Sequence, residues 1–270
     1  MISKNRIFDC ITFFEENLIT NSRFEILNNV VDYFIVCESK YDHKGRKKKI
    51  NFKLLNKKFE NKVRHIVINE KFPNLSNLWK TEEYQREKIF NKLKDAKDDD
   101  LILYSDSDEI PDPIKIKNLK LKKKYAIFMQ KFFVYKLNIY NKYESPWEGT
   151  RICKKKNLKN FIFLRKKILK KNLDKPFWKF NIEKDIQIIK NGGWHFNNLY
   201  TVKKISKKLK TFQHTEFSNS SFSSLKMIKK KIKNLNDLFG RNHKYSKIKI
   251  NNSYPDYIRK NKEIFKDYII

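Results

Sequence analysis

The chain is poor in the residues that staple or punctuate small folds: its 270 residues hold only three cysteines, five glycines and six prolines. Cys10, Cys37 and Cys153 are far apart, odd in number and free of any C-x-x-C spacing. That pattern excludes a disulfide framework and a thiolate zinc site, and it suits a reducing compartment. Long apolar runs are missing as well. Met1-Ile2-Ser3-Lys4-Asn5-Arg6 leads straight into a strand pattern, so neither a signal peptide nor a membrane span is expected. The expectation is a cytoplasmic protein that meets any membrane-borne substrate peripherally, from one side.

Negative charge is scarce too. Thirty acidic residues face 62 basic ones, a formal net charge of +32. Of the basic residues nine are Arg and 53 are Lys, and Asn and Ile are also abundant, which marks a bias of the whole chain rather than a tuned surface. Sequence-specific nucleic-acid readers rely on Arg forks and interleaved aromatics, which are not found here, so no specific nucleic-acid partner is expected. The charge still attracts phosphate-bearing ligands and anionic lipid through a salt-screened field.

Against that background one acidic knot stands out. The apolar run Leu101-Ile102-Leu103-Tyr104 reads as a buried strand and is followed by Ser105-Asp106-Ser107-Asp108-Glu109-Ile110-Pro111. Ligands of α/β sheets bind at the carboxyl ends of strands. Three adjacent carboxylates repel one another unless a cation or buried donors offset the charge. Mg²⁺ or Mn²⁺ takes carboxylate oxygens and keeps positions open for water and phosphates, so Asp106, Asp108 and Glu109 read as a metal or phosphate site, or as a solvated acidic turn. Asp112-Pro113 reads instead as a helix start, with Asp112 as N-cap.

The first half alternates strands and helices. Strands are expected at Arg6 to Phe14, Tyr33 to Cys37 with Glu38 at its end, Val63 to Ile68 and Leu101 to Tyr104, and helices at Arg23 to Val30 and Leu78 to Lys94. Tyr125 to Tyr135 is a further strand. The alternation predicts an α/β fold with a mostly parallel central sheet flanked by helices. Glu82, Arg86, Ile89 and Leu93 share one helix face by spacing, which puts two charges beside two aliphatics. An ordinary surface pair accounts for them, and so does an Arg86 that reaches a carboxylate or phosphate at the sheet edge.

The second half is lysine-rich. Phe161-Ile162-Phe163-Leu164 suggests a strand or hairpin between basic loops. Two of the five glycines then stand together in Asn191-Gly192-Gly193-Trp194-His195-Phe196. Such a pair allows positive φ or close approach of backbone to a ligand. Trp194 reads as a sugar-stacking platform or as core, and His195 as a metal ligand, a general base or a structural histidine. His214-Thr215-Glu216 repeats the His/carboxylate theme. Leu225, Ile228, Ile232, Leu235 and Phe239 follow a helical spacing that ends at Gly240, either packing on the main body or, with Lys229, Lys230, Lys231 and the segment Lys203-Lys204-Ile205-Ser206-Lys207-Lys208, holding the protein to an anionic membrane.

Taken in order, Arg6-x-Phe8-Asp9-Cys10-Ile11-Thr12-Phe13-Phe14-x-Glu16, Val36-x-Glu38-Ser39, His43-x-Gly45, Trp79-x-x-Glu82-x-x-Gln85-Arg86, Ser105-Asp106-x-Asp108-Glu109-Ile110-Pro111 and Gly192-Gly193-Trp194-His195-Phe196 resemble glycosyltransferase family 17. The resemblance runs from about Arg6 to Arg241. It implies a GT-A-like fold and an inverting transferase that moves N-acetylglucosamine or a related hexose from a UDP-sugar to a glycan hydroxyl in a β-1,4-type linkage. Asp106 and Asp108 would hold Mn²⁺ or Mg²⁺, with His214 as a further ligand. Glu38, Glu82, Arg86, Glu109, Gly192, Gly193 and Trp194 would contact the nucleotide sugar, and His195 or Glu216 would be the base. The acceptor would be a glycoprotein, lipid-linked or surface glycan. Residues 1–240 would form the catalytic domain and 241–270 a basic extension packed on it or trailing from it. From the residues alone, two other classes stay open: a metal-dependent phosphohydrolase or nuclease, and a basic nucleic-acid or anionic-surface binding protein.

Overall fold

The computed structural model describes residues 5–75, 77–211 and 220–270. Strand β1 (Ile7–Phe13) is central and pairs in parallel with β2 (Tyr33–Ser39) on one side and, after β3 (Val63–Ile68) extends that edge, with β4 (Leu101–Asp106) on the other. A short β5 (Glu109–Pro111) follows β4; then come β6 (Tyr125–Val134), β7 (Ile139–Tyr140) and β8 (Trp147–Lys154). β8 wedges antiparallel between β4 and β6. Two later strands, β9 (Ile186–Ile189) and β10 (Gly193–Asn197), lie in parallel along successive parts of β6. β11 (Ser246–Lys247) closes the far edge on β7. Among these strands only β5, β7 and β8 run against the common direction.

The two-residue period of the strands explains why helices cover both faces. Ile11 and Phe13 of β1, Phe34 and Val36 of β2 and Leu103 of β4 enter one apolar cluster with Phe24 and Leu27 of helix α1 (Asn17–Leu27). Phe8, Cys10, Ile35, Cys37, Ile102 and Tyr104 enter the other, below α2 (Leu78–Glu87). This is the α/β class expected from the alternation.

Four local expectations are corrected. Helix α1 begins at Asn17, not Arg23, because its buried face is partly polar: Arg23 is fully buried and its guanidinium grips Asp9 through two bonds of 2.6 Å. The α-helix from Leu78 ends at Glu87, and a 3₁₀ turn over Lys88–Lys92 carries Ile89 inward. After α3 (Pro113–Lys117), capped by Asp112 as expected, the run from Phe161 is a helix, α4 (Phe161–Lys166), not a strand. Asn160 caps it by accepting from the Phe163 N–H at 2.6 Å, while Phe161 and Leu164, three apart, face the core.

In the last third, α5 (Val202–Thr211), α6 (Ser220–Ser223) and α7 (Leu225–Lys233) form a small layer. The expected helix to Gly240 stops instead at Lys233, where Leu235 takes a positive φ of 57°. Ile205, Ile228 and Ile232 are buried with Phe132 and Tyr135, so the apolar stripe of α7 faces the protein. α8 (Asp256–Lys260) follows β11, and Tyr254, Ile258 and Phe265 lie in the same apolar cluster as α1.

Candidate active site

The pairing of β5 with β10 builds the site. His195 lies opposite Glu109 and Gly193 opposite Pro111, so the acidic turn and the Gly-Gly-Trp-His segment share one ladder. Gly193 has φ +136° and its Cα sits so close to β5 that a Cβ would stand 2.1 Å from the Ile110 carbonyl oxygen. The glycine pair therefore serves strand contact. Trp194 falls on the opposite side from His195, in the main core, and donates its indole N–H to the Ser253 carbonyl at 2.8 Å.

A cleft of about 730 Å³ opens at the carboxyl ends of β1 and β4, the size that suits a small ligand. Glu82 and Arg86 of α2, Asp106, Asp108, His195, and Arg165 and Lys166 of α4 line it. Sequence reasoning missed Arg165. Its guanidinium donates to Asp106 Oδ2 at 2.6 Å and forks onto Glu109 at 2.8 and 2.9 Å. Trp147 Nε1 donates to the same Glu109 carboxylate at 2.7 Å. Arg23 holds the Glu109 carbonyl from behind at 2.6 Å and takes Ser105 Oγ at 2.7 Å. Internal cations thus offset part of the repulsion in the acidic knot.

The two acidic neighbours titrate apart. Burial pushes Glu109 up, but Arg165 and His195 outweigh it and hold the carboxyl below its ordinary range. Asp106, one-third exposed, is pushed up by desolvation and by Glu109 and Glu82 despite Arg165. His195 Nε2 lies 3.5 Å from Asp108 Oδ1. Burial lowers the His195 pKa, yet the Asp108, Glu109 and Asp106 charges raise it overall, and Asp108 is correspondingly lowered against its own desolvation.

Arg86, almost fully buried, donates Nε to the Tyr104 hydroxyl at 2.6 Å and Nη2 to Glu82 at 3.0 Å. Its Nη1 and the Nδ1 of His195 are buried without a hydrogen-bond partner among the described residues. Buried donors are rarely left so, and both belong to residues that line the cleft. Lys208, Arg241, Trp79 and Trp147 line it too.

The structure therefore brings together Glu82, Arg86, Asp106, Asp108 and His195, with Glu109 buried directly behind them. It places others elsewhere. Glu38 has no exposed surface and accepts from Lys48 Nζ at 2.6 Å and from the Asn51 and Phe52 N–H groups at 2.7 and 3.0 Å. Those bonds fasten the 51–52 segment to the end of β2. Gly192, Gly193 and Trp194 are packed away from the cleft, whose lining indoles are those of the half-buried Trp147 and the exposed Trp79. His214 and Glu216 lie outside the described residues. The signal for Arg165 was composition: it is an arginine embedded in a lysine run, and a planar fork suits a carboxylate pair better than an ammonium does.

Asp106 and Asp108 offer hard oxygen donors on one cleft wall, and among the described residues no cluster of three His, Cys, Asp or Glu side chains arranged to hold a metal forms. A divalent cation fits this donor set only with water and ligand phosphates completing its shell.

A family model described as glycosyltransferase family 17 matches residues 1–253. The β-1,4-mannosyl-glycoprotein 4-β-N-acetylglucosaminyltransferases of Rattus norvegicus and Homo sapiens are each 31% identical over 117 residues, which is 39% of this chain and 22% of each relative. The chain thus spans about a fifth of the length of these relatives. Among solved structures, the apo structure of the WbbM bifunctional glycosyltransferase superposes with a TM-score of 0.31 and 13% identity, over 58% of this chain and 33% of that one.

Proposed function

Because the chain belongs to glycosyltransferase family 17, we propose that it transfers N-acetylglucosamine or a related hexose from a UDP-sugar to a glycan hydroxyl, with inversion and in a β-1,4-type linkage. The observation that carries this reading is the pairing, in one cleft, of two carboxylates with a buried arginine whose Nη1 has no partner among the described residues. Arg86 meets the donor diphosphate, with Lys208 adding charge toward the mouth. Asp106 and Asp108 would hold Mn²⁺ or Mg²⁺, which when bound stabilises negative charge on the departing nucleotide. Arg165 and Glu109 keep the Asp106 carboxylate in place from the protein side. Trp147, fixed by its bond to Glu109, offers an indole edge to the sugar.

His195 and Glu216 are the two groups proposed for taking the acceptor hydroxyl proton, His195 held by Asp108 and Glu216 on the segment after α5. The acceptor is a glycoprotein, lipid-linked or surface glycan. The protein is proposed to work in the cytoplasm, at most peripherally at a membrane; among the described residues no helix is long and apolar enough to span one. A two-metal hydrolase would need a richer ligand set than the described residues assemble.

UDP release from a panel of nucleotide sugars, with and without oligosaccharide acceptors, tests the proposal. Turnover of at least one UDP-hexose that rises with acceptor is expected. Hydrolysis of phosphate esters with no nucleotide sugar consumed would overturn it.

A further inference from the structure

Beyond α4 and a 3₁₀ turn over Lys170–Asn172, the chain enters a loop, residues 173–181, that is exposed at every position. Phe177 is 79% exposed, Trp178 61% and Phe180 88%. The loop is nonetheless built. Lys184 Nζ reaches inward and donates to the carbonyls of Pro176, Phe177 and Lys179 at 2.6, 3.1 and 3.2 Å. Asn172, buried at the base, ties the Lys167 and Glu183 carbonyls together at 2.6 and 2.9 Å. The Phe177 and Trp178 rings meet edge-on, 5.1 Å apart. Fixed carbonyls and three bare aromatic rings together make a presented surface, and apolar clusters presented to water mark contact sites.

The rim of that surface tells what it meets. Lys171 and Lys175 precede the rings, Lys179 stands between Trp178 and Phe180, and all three lysines are exposed, with Asp174 as the one acidic residue between Lys171 and Phe180. Aromatic rings flanked by lysines match a bilayer interface, where rings settle at headgroup depth and ammonium groups face anionic lipid. The lysine-rich helices α5 and α7 lack this combination, because their isoleucines are buried in the protein. We infer that the Phe177-Trp178-Phe180 loop is a peripheral docking surface for an anionic lipid bilayer. Since Leu169, four residues ahead of the loop, lines the cleft, docking would hold the cleft beside the membrane. The inference stands apart from the proposed reaction, as none of the loop's rings lines the cleft.

Flotation of the full chain with phosphatidylcholine vesicles, with and without phosphatidylglycerol, tests it. Binding is expected only with phosphatidylglycerol, falling as salt is added and accompanied by a blue shift of tryptophan emission that Trp178→Phe removes. The triple variant Phe177→Ser, Trp178→Ser, Phe180→Ser should bind about tenfold more weakly or worse, with melting temperature and UDP release unchanged. Lys229, Lys230 and Lys231 changed to Gln should float like the wild type. The inference is overturned if the wild type does not float, if the triple serine variant floats as well as the wild type, or if soluble oligosaccharide alone shifts the Trp178 emission and vesicles do not.

Discussion

Arg165 Nη2 lies 2.6 Å from Asp106 Oδ2, and the same guanidinium forks onto the fully buried Glu109. One cation from α4 therefore joins the end of β4 to the start of β5 and sets the direction in which the acidic turn faces the cleft. Removing one partner of a buried ion pair leaves the other charge unpaired, and this costs about 3–5 kcal/mol. Arg165→Gln should lose stability on that scale in urea denaturation. Because Glu109 is the orphan, Glu109→Gln combined with Arg165→Gln should cost clearly less than the two single changes summed. Additive losses would show that the two residues do not act as a unit.

Asp106→Asn and Asp108→Asn should each abolish transfer and keep the fold. Arg165 retains Glu109 when Asp106 is neutralised, and Asp106 is itself one-third exposed, so little stability is at stake. A ligand that binds only the native state at about a hundred times its Kd adds roughly 2.7 kcal/mol, which a melting curve resolves easily. Mn²⁺ with UDP should raise the wild-type midpoint and leave both variants unmoved. An undiminished shift in both would remove these carboxylates from the ligand set.

What could be read along the chain was local. The apolar runs of β1, β2, β3 and β4 and the acidic turn behind β4 were legible because each signal lies within a few adjacent residues. Arg165 was hidden because its partners are 56 and 59 positions away and it stands beside Lys166 and Lys167 in a lysine-rich stretch. The short apolar run Phe161 to Leu164 fits either period, and only the Asn160 cap decides for helix. Glu38 was taken for a ligand because it ends a strand beside the site, yet three bonds from the chain around Lys48 to Phe52 satisfy it first. Trp194 and His195 are adjacent in sequence, and strand alternation sends them to opposite faces, which leaves the histidine at the site and the indole in the core.

His195→Ala separates two roles. If the imidazole takes the acceptor proton, transfer should fall by about 10²-fold to 10⁴-fold, the usual worth of a general base, while the Kd for UDP with Mn²⁺ holds. The 3.5 Å contact with Asp108 makes the opposing outcome readable, since a positioning histidine would loosen Asp108 and weaken UDP binding in step with activity. Isothermal titration alongside kcat and KM distinguishes them. Glu216→Gln in the same assays should be the silent variant if His195 is the base, and full activity in both would exclude both.

Glu38→Gln tests whether that residue builds the fold or touches the donor. Burial pushes its carboxyl up, but His65, Lys48 and the Asn51 and Phe52 N–H groups outweigh burial and hold it below its ordinary value. A carboxylate depressed in the folded state contributes stability above its unfolded pKa of about 4.3 and loses it as pH falls through the lower folded value. The wild type should therefore exceed Glu38→Gln by roughly 1–3 kcal/mol at neutral pH, the worth of charge-assisted bonds to a buried acceptor. That margin should shrink steadily below about pH 4. Urea midpoints measured across this range, with UDP binding to the folded variant at pH 7, give both readouts. A variant as stable as the wild type that has lost UDP affinity would return Glu38 to the nucleotide.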